Sequence, residues 1–145
     1  MKRSLDDGYE LDDDPDRIDL DAVHRYLCEQ SYWAKGRRRV EQAALNAAAA
    51  RVVGLYDRGG QVGFTRTALV SGMSVAYLYD VYVLFDHRGR GLGEELVRET
   101  VDRGPFAGHR WLLDTRDAHE FYAKIGFGAP SERLMERPRT QLRDS

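Results

Sequence analysis

Between His87 and Glu94 the chain reads Arg88-Gly89-Arg90-Gly91-Leu92-Gly93. Glycine lets a backbone turn tightly and admits a ligand where a Cβ would otherwise stand. An amphipathic run begins at Leu92, so the first N–H groups of a helix, which lack partners inside it, face this turn. Together with the positive end of the helix dipole and two guanidiniums, they make an anion site suited to a pyrophosphate. A plain strand-to-helix turn would use the same glycines for geometry alone, and Glu94 and Glu95 compete for the same positive end. A P-loop requires Lys-Ser/Thr after its last glycine, where this chain has Glu94-Glu95. A dinucleotide fingerprint requires glycine at position 94. Asp114 nevertheless stands about 20 residues on, where a ribose-binding acid would be expected, so a nicotinamide-type site is the runner-up.

Five further residues could carry chemistry. Asp80 is a carboxylate inside the apolar run at 75–84 (VAYLYDVYVL). Burial there is expected to raise its pKa into the range of a general base; the alternative is an aspartate paired with an arginine at a strand edge. His119 lies one helical turn before Tyr122 and shares its face, as an alternative base, a substrate contact or a structural histidine. Tyr122 itself falls on an apolar stripe with Ala118, Phe121 and Ile125, and on pattern alone it is a core residue. Tyr32 and Trp33 sit in a break between two predicted helices. They form either an aromatic wall for a substrate, suited to an aromatic or cationic amine, or a plug beneath a sheet. The acidic run Asp12–Asp14 would assist such a wall, or is simply a solvated turn.

The elements that must position these residues are legible as periods and breaks. A short strand is expected at 9–11, ended by Asp12-Asp13-Asp14-Pro15-Asp16. Residues 20–30 repeat apolar positions at helical spacing behind Asp19 as N-cap. After Gly36 an alanine-rich helix is expected at 38–49. Strands at 52–57 and 61–69 flank Arg58-Gly59-Gly60, a hairpin signal. A turn at Ser71-Gly72 leads to a strand at 75–84, apolar enough to be covered on both faces. A helix at 92–103 stops at Gly104-Pro105, a strand follows at 111–114, and a last helix at 118–125 ends at Gly126. Phe127 and residues 133–135 are expected to supply closing strands. Residues 1–8 read as a flexible leader, 9–136 as one mixed α/β domain, and 137–145 as a polar tail.

Composition narrows the class. The chain has 145 residues, enough for one domain, with 42% hydrophobic and 32% charged residues, which reads as globular rather than disordered. No apolar run approaches the roughly 20 residues that cross a bilayer. The formal net charge is −2, against the basic excess of nucleic-acid binders. The local run Lys35-Gly36-Arg37-Arg38-Arg39 either touches an anion or is a solvated loop entering a helix. Cys28 is the single cysteine, which excludes an intrachain disulfide and a cysteine-based metal site, and suggests a cytoplasmic location.

Arg88-x-x-Gly91-x-Gly93, between a hydrophobic strand and an amphipathic helix, resembles the acetyl-CoA signature (Q/R-x-x-G-x-G/A) of the GNAT superfamily of N-acetyltransferases. Phe121-Tyr122 followed by Gly126-Phe127 resembles the F-Y-x-x-x-G-F segment of the same enzymes. The order of elements fits from Tyr9 to Met135. The resemblance implies a central, mainly antiparallel sheet flanked by helices, and acetyl-CoA as cosubstrate with no metal. It implies that backbone groups of Val81, Tyr82 and Val83 pair with the pantetheine arm as an added strand, and that amides of Arg88, Gly89, Arg90, Gly91, Leu92 and Gly93 hold the pyrophosphate. The strands around Leu84 and Trp111 would part to admit the thioester. Tyr122 would protonate the departing thiolate, and a backbone N–H near Val83 would stabilise the oxyanion. The acceptor would be the amine of a small molecule or amino-acid-like substrate, or alternatively a protein lysine or N-terminus. A non-catalytic acyl-CoA-binding module is the reading from another class. No nucleic-acid or membrane partner is expected; pairing of two copies through the segment after Phe127 is possible on the family's pattern.

Overall fold

Six strands form a single sheet in the order in which they occur along the chain. The computed structural model describes residues 1–70 and 74–140. The strands are β1 (Lys2–Ser4), β2 (Tyr9–Asp12), β3 (Arg51–Asp57), β4 (Gly60–Val70), β5 (Val75–Val83) and β6 (Arg110–Leu112). All neighbours are antiparallel except β5 and β6, which are parallel and joined by the helical crossover such a pair requires. The helices are α1 (Leu20–Gln30), α2 (Arg39–Ala48), α3 (Leu92–Val101) and the single turn α4 (His119–Ala123).

Each strand divides its side chains between two faces, as the two-residue period of a strand demands. On one face Leu11, Val53, Leu55 and Val83 pack with Leu92 and Leu96 of α3. On the other, Val52, Phe64 and Tyr82 pack with Val23, Tyr26 and Leu27 of α1. The Asp19 carboxylate caps α1 by accepting the Ala22 N–H at 3.0 Å. The β3–β4 hairpin turns through Arg58 and Gly59, both with positive φ, which is the backbone twist a two-residue hairpin loop favours. At the far end of α3, Arg51 is buried and donates to Glu99 O at 3.0 Å, while Thr100 bonds Thr65 across the interface at 2.8 Å. These bonds fix the height of α3 above the sheet, and with it the position of the glycine turn at its other end.

Two features shape the site. Phe64 faces Tyr82 and Arg66 faces Tyr79, so Thr65 stands opposite both Asp80 and Val81, a β-bulge, with Asp80 in the left-handed region at φ 56°. β6 then pairs with β5 only from Val75 to Tyr77. Beyond that point the two strands part, and the edge of β5 from Tyr79 to Val83 has no strand beside it.

Several expectations need correction. Residues 2–4 are not a loose leader: they pair with Glu10–Asp12 as β1, a strand too short to show in periodicity. The last helix is only five residues long and the helix before it ends at Val101. No closing strand forms at Phe127 or at 133–135; residues 127–140 carry no strand or helix. β5 is not covered on both faces, since Tyr77 and Val81 are half-buried and Tyr79 is exposed. The turn expected at Ser71-Gly72 lies outside the described residues.

Leu96 is fully buried between α3 and the sheet. Truncation to alanine is expected to cost about 2–5 kcal/mol, read as a lower urea midpoint with an unchanged slope.

Candidate active site

The parting strands open a cleft of about 1330 Å³ that runs from the link between α1 and α2, along β5, to the N-terminus of α3. Its walls include Trp33, Tyr79, Val81, Val83, Gly91 and Tyr122.

At the α3 end the backbone does the work. Gly89 and Gly91 have φ of 79° and 76°, and nothing lies within 4 Å of where a Cβ would project from either, so conformation and open space both call for glycine. Gly91 is the N-cap of α3 and offers no side chain to its amides. Glu95 N closes the first intrahelical bond on Gly91 O, which leaves the N–H groups of Leu92, Gly93 and Glu94 directed into the turn. Gly93 is a milder case, because an added Cβ would meet Phe121 at an ordinary 3.5 Å. Arg90 is exposed on the outer side of the turn, away from the cleft lining. Arg88, expected to neutralise a phosphate, lines the cleft and is also a brace. Its Nε donates to Val83 O at 2.9 Å and its Nη2 to the Tyr26 hydroxyl at 2.8 Å, tying the turn to β5 and α1.

Along β5 the open edge has a definite polarity. Leu84 donates to Val62 O, so by antiparallel alternation the groups of Tyr82 also bond to β4 while those of Val81 and Val83 turn to the cleft. Tyr82 is therefore not available as an edge residue; its ring stacks on Tyr26 with centroids 4.1 Å apart.

Asp80 is the largest departure from expectation. Its carboxylate is buried and accepts from Arg66 Nε at 2.8 Å, from Arg37 Nη1 at 3.0 and 3.1 Å, and from the Trp33 indole at 3.0 Å. Burial opposes ionisation, but the Arg66 and Arg37 guanidiniums outweigh it and hold the carboxyl below its ordinary value. Its lone pairs are spent on these partners. Asp80 is thus a structural anchor rather than a general base, the alternative of a carboxylate paired with arginine. Sequence reasoning missed Arg66 and Gln42, which come from β4 and α2; the one available signal for Arg37 was the basic run.

Tyr122 lines the cleft, its ring edge-on to Phe121 and Phe127. Among the described residues its hydroxyl has no hydrogen-bond partner. Burial, with a smaller contribution from the neighbouring Tyr32, pushes its pKa up to about 12, so it is a phenol and a proton donor at neutral pH. His119 shares α4 but not the cleft: it is exposed and lines a separate shallow hollow with Glu120 and Lys124. Tyr32 and Trp33 do form a wall, edge to face with centroids 5.1 Å apart and each about 41% exposed, so neither is a core plug. Tyr77 and Tyr79 stack at 4.4 Å across from them. Asp114 accepts from the Tyr77 hydroxyl. The acidic run at 12–14 serves elsewhere, in ion pairs with Arg17, Arg51 and the N-terminus. Among the described residues no group of three or more His, Cys, Asp or Glu side chains is placed to hold a metal ion.

Residues 48–128 match the family model for the acetyltransferase (GNAT) domain. The crystal structure of a candidate GNAT-family acetyltransferase from Xanthomonas campestris pv. campestris superposes with a TM-score of 0.81 at 32% identity, covering 90% of this chain and 93% of that one. A candidate acetyltransferase from Deinococcus radiodurans R1 shares the fold with a TM-score of 0.69 at 17% identity, over 94% of each chain. A candidate acetyltransferase of Gibberella zeae is 24% identical, over 81% of this chain and 78% of its own. The parted β5 and β6 and the glycine turn thus belong to a recognised architecture, and the chain is a member of the GNAT family of acetyltransferases.

Replacing Asp80 by asparagine leaves the buried Arg66 and the partly exposed Arg37 without a counter-charge, expected to cost about 3–5 kcal/mol at pH 7. Asp80 titrates lower in the folded than in the unfolded chain. The stability it contributes is therefore complete above the unfolded value, near 3.9, and disappears as pH falls through the folded value. Urea midpoints of wild type and D80N should differ at pH 7 and converge below about pH 4; a gap that persists unchanged into acid would show that Asp80 is not ionised.

Proposed function

We propose that the chain transfers the acetyl group of acetyl-CoA to the amine of a small molecule or amino-acid-like acceptor. The observation that carries this reading is the unpaired edge of β5 leading directly into the amides at the head of α3. The Val81 backbone groups and the Val83 N–H suit an extended amide-bearing arm laid along that edge, the Val83 carbonyl being bonded to Arg88. The Leu92, Gly93 and Glu94 N–H groups suit a pyrophosphate. Gly89 and Gly91 keep the approach clear, and Arg88 holds the two parts in register. When bound, acetyl-CoA supplies an acyl thioester open to attack by a neutral amine.

The chain's own residues then have three tasks. The aromatic wall of Tyr32, Trp33 and Tyr79 excludes water from one side of the acceptor. Tyr122 holds a proton ready for the leaving sulfur. The Arg37–Asp80–Arg66 cluster carries one positive charge in excess, which holds the acceptor end of the cleft attractive to an anionic group. The proton lost by the attacking amine leaves through water, in place of the side-chain base expected at Asp80 or His119.

Acetyl-CoA and CoA should each raise the melting temperature, and NAD should not. The absence of a CoA shift would remove the reading, and a shift with NAD alone would restore a nicotinamide site. Tyr122→Phe should lower acetyl transfer by about 10²–10⁴-fold while the acetyl-CoA shift persists. Unchanged turnover would take Tyr122 out of the mechanism, and no turnover in wild type with any amine would favour a non-catalytic acyl-CoA module.

A further inference from the structure

Arg37 is held unusually firmly for a cleft residue. Its Nη1 alone makes three bonds, to both oxygens of Asp80 and to Gln42 Oε1 at 2.8 Å. Gln42 is fully buried and is itself tied to Asn46 at 2.8 Å. Among the described residues, Nε and Nη2 of Arg37 have no partner, yet neither is a buried orphan. The side chain is 18% exposed, and the surface it exposes borders the cleft. A guanidinium fixed through one nitrogen and open at the other two presents the planar edge that matches a carboxylate with two parallel hydrogen bonds.

Charge and place agree with this. Arg37 and Arg66 share the single negative charge of Asp80, so the cluster attracts an anion. Arg66 is closed off, stacked 4.4 Å from the Tyr79 ring, which leaves Arg37 as the member that meets the cleft. Arg37 stands over Asp80, three residues before Val83, a separation of roughly 10 Å along a strand, and the glycine turn lies further on. The open edge of Arg37 is thus at the acceptor end and not at the phosphate end. Trp33, pinned by the same carboxylate, and Tyr79 flank it with exposed rings.

We propose that Arg37 binds a carboxylate of the acceptor, so that the substrate class is an amino acid or similar amine carrying a carboxylate beside an apolar body. The proposal rests on the acetyl-transfer reading for what happens to the amine, but the binding claim stands apart from it. Arg37 selects the acceptor and Asp80 is its positioning residue.

The test uses the two tryptophans as fluorescent reporters, in wild-type protein with and without CoA. Phenylalanine and leucine are titrated against 2-phenylethylamine and isopentylamine, which lack only the carboxylate, and against 3-phenylpropanoate, which lacks only the amine. The carboxylate-bearing ligands should bind roughly ten- to hundredfold more tightly than the bare amines, the range for hydrogen bonds to a charged group. Arg37→Gln should remove most of that preference while the acetyl-CoA melting shift reports an intact fold; Arg37→Lys should restore only part of it, because a point charge replaces a fork. Equal affinities for amino acids and bare amines, or no binding of the carboxylate ligands at millimolar concentration, overturn the proposal without reference to any variant. Failure of acetyl-CoA to shift the melting temperature would instead count against acetyl transfer and leave the titration to decide Arg37.

Discussion

One buried carboxylate holds the working end of this molecule together. Asp80 sits in the left-handed region at the bulge of β5, where its side chain gathers a guanidinium from β4, another from the link between α1 and α2, and the indole of Trp33. A non-glycine residue at such a φ costs conformational energy, and the ion pairs oppose that cost. The bonds tie the link between α1 and α2 to β4 and β5, which already pair as strands. The bulge, the placement of the aromatic wall and the charge facing the cleft all follow from this cluster. An unpaired charge there would be expensive, so the geometry is all-or-none in character.

The second constraint is topological. A parallel pair needs a long crossover, and here the crossover is the turn and helix that run from Phe85 to Val101. Because β6 is only three residues long, it stops covering β5 at Tyr77, before the bulge at Asp80 is reached. The open edge and the head of α3 then become neighbours along a single path, with Arg88 bonded to both β5 and α1. The site is therefore a product of strand length and helix placement more than of any one reactive side chain.

Much of this was legible in residue order. The helix at 20–30 with its Asp19 cap, the Arg58-Gly59 hairpin and the glycine turn before α3 are local signals, and the structure carries them at those positions. The family signature placed the cleft beside Tyr122 and the Val81 and Val83 edge. What local signals could not supply is pairing at a distance. Asp80 looked like a carboxylate awaiting a raised pKa because Arg66 and Arg37 lie 14 and 43 residues from it in sequence. The bracing bond of Arg88 to Tyr26 was equally hidden, because nothing in its own segment announces that partner. His119 shares a helical face with Tyr122 on paper, but α4 is a single turn and its first residue faces outward. The strand at 2–4 is a product of pairing with β2 and has no period of its own.

The two outer edges of the sheet are both blunt, three residues each, with Lys2 and Arg110 exposed upon them. Short, charged edges give another folded sheet little to add to. The edge of β5 beyond Tyr77 instead lines the cleft, with residues of α1 and α4 on its walls. A strand edge set inside a cleft is harder for another sheet to reach than one on the rim, so the position of this edge adds a protection that is elsewhere left to charge or to a bulge.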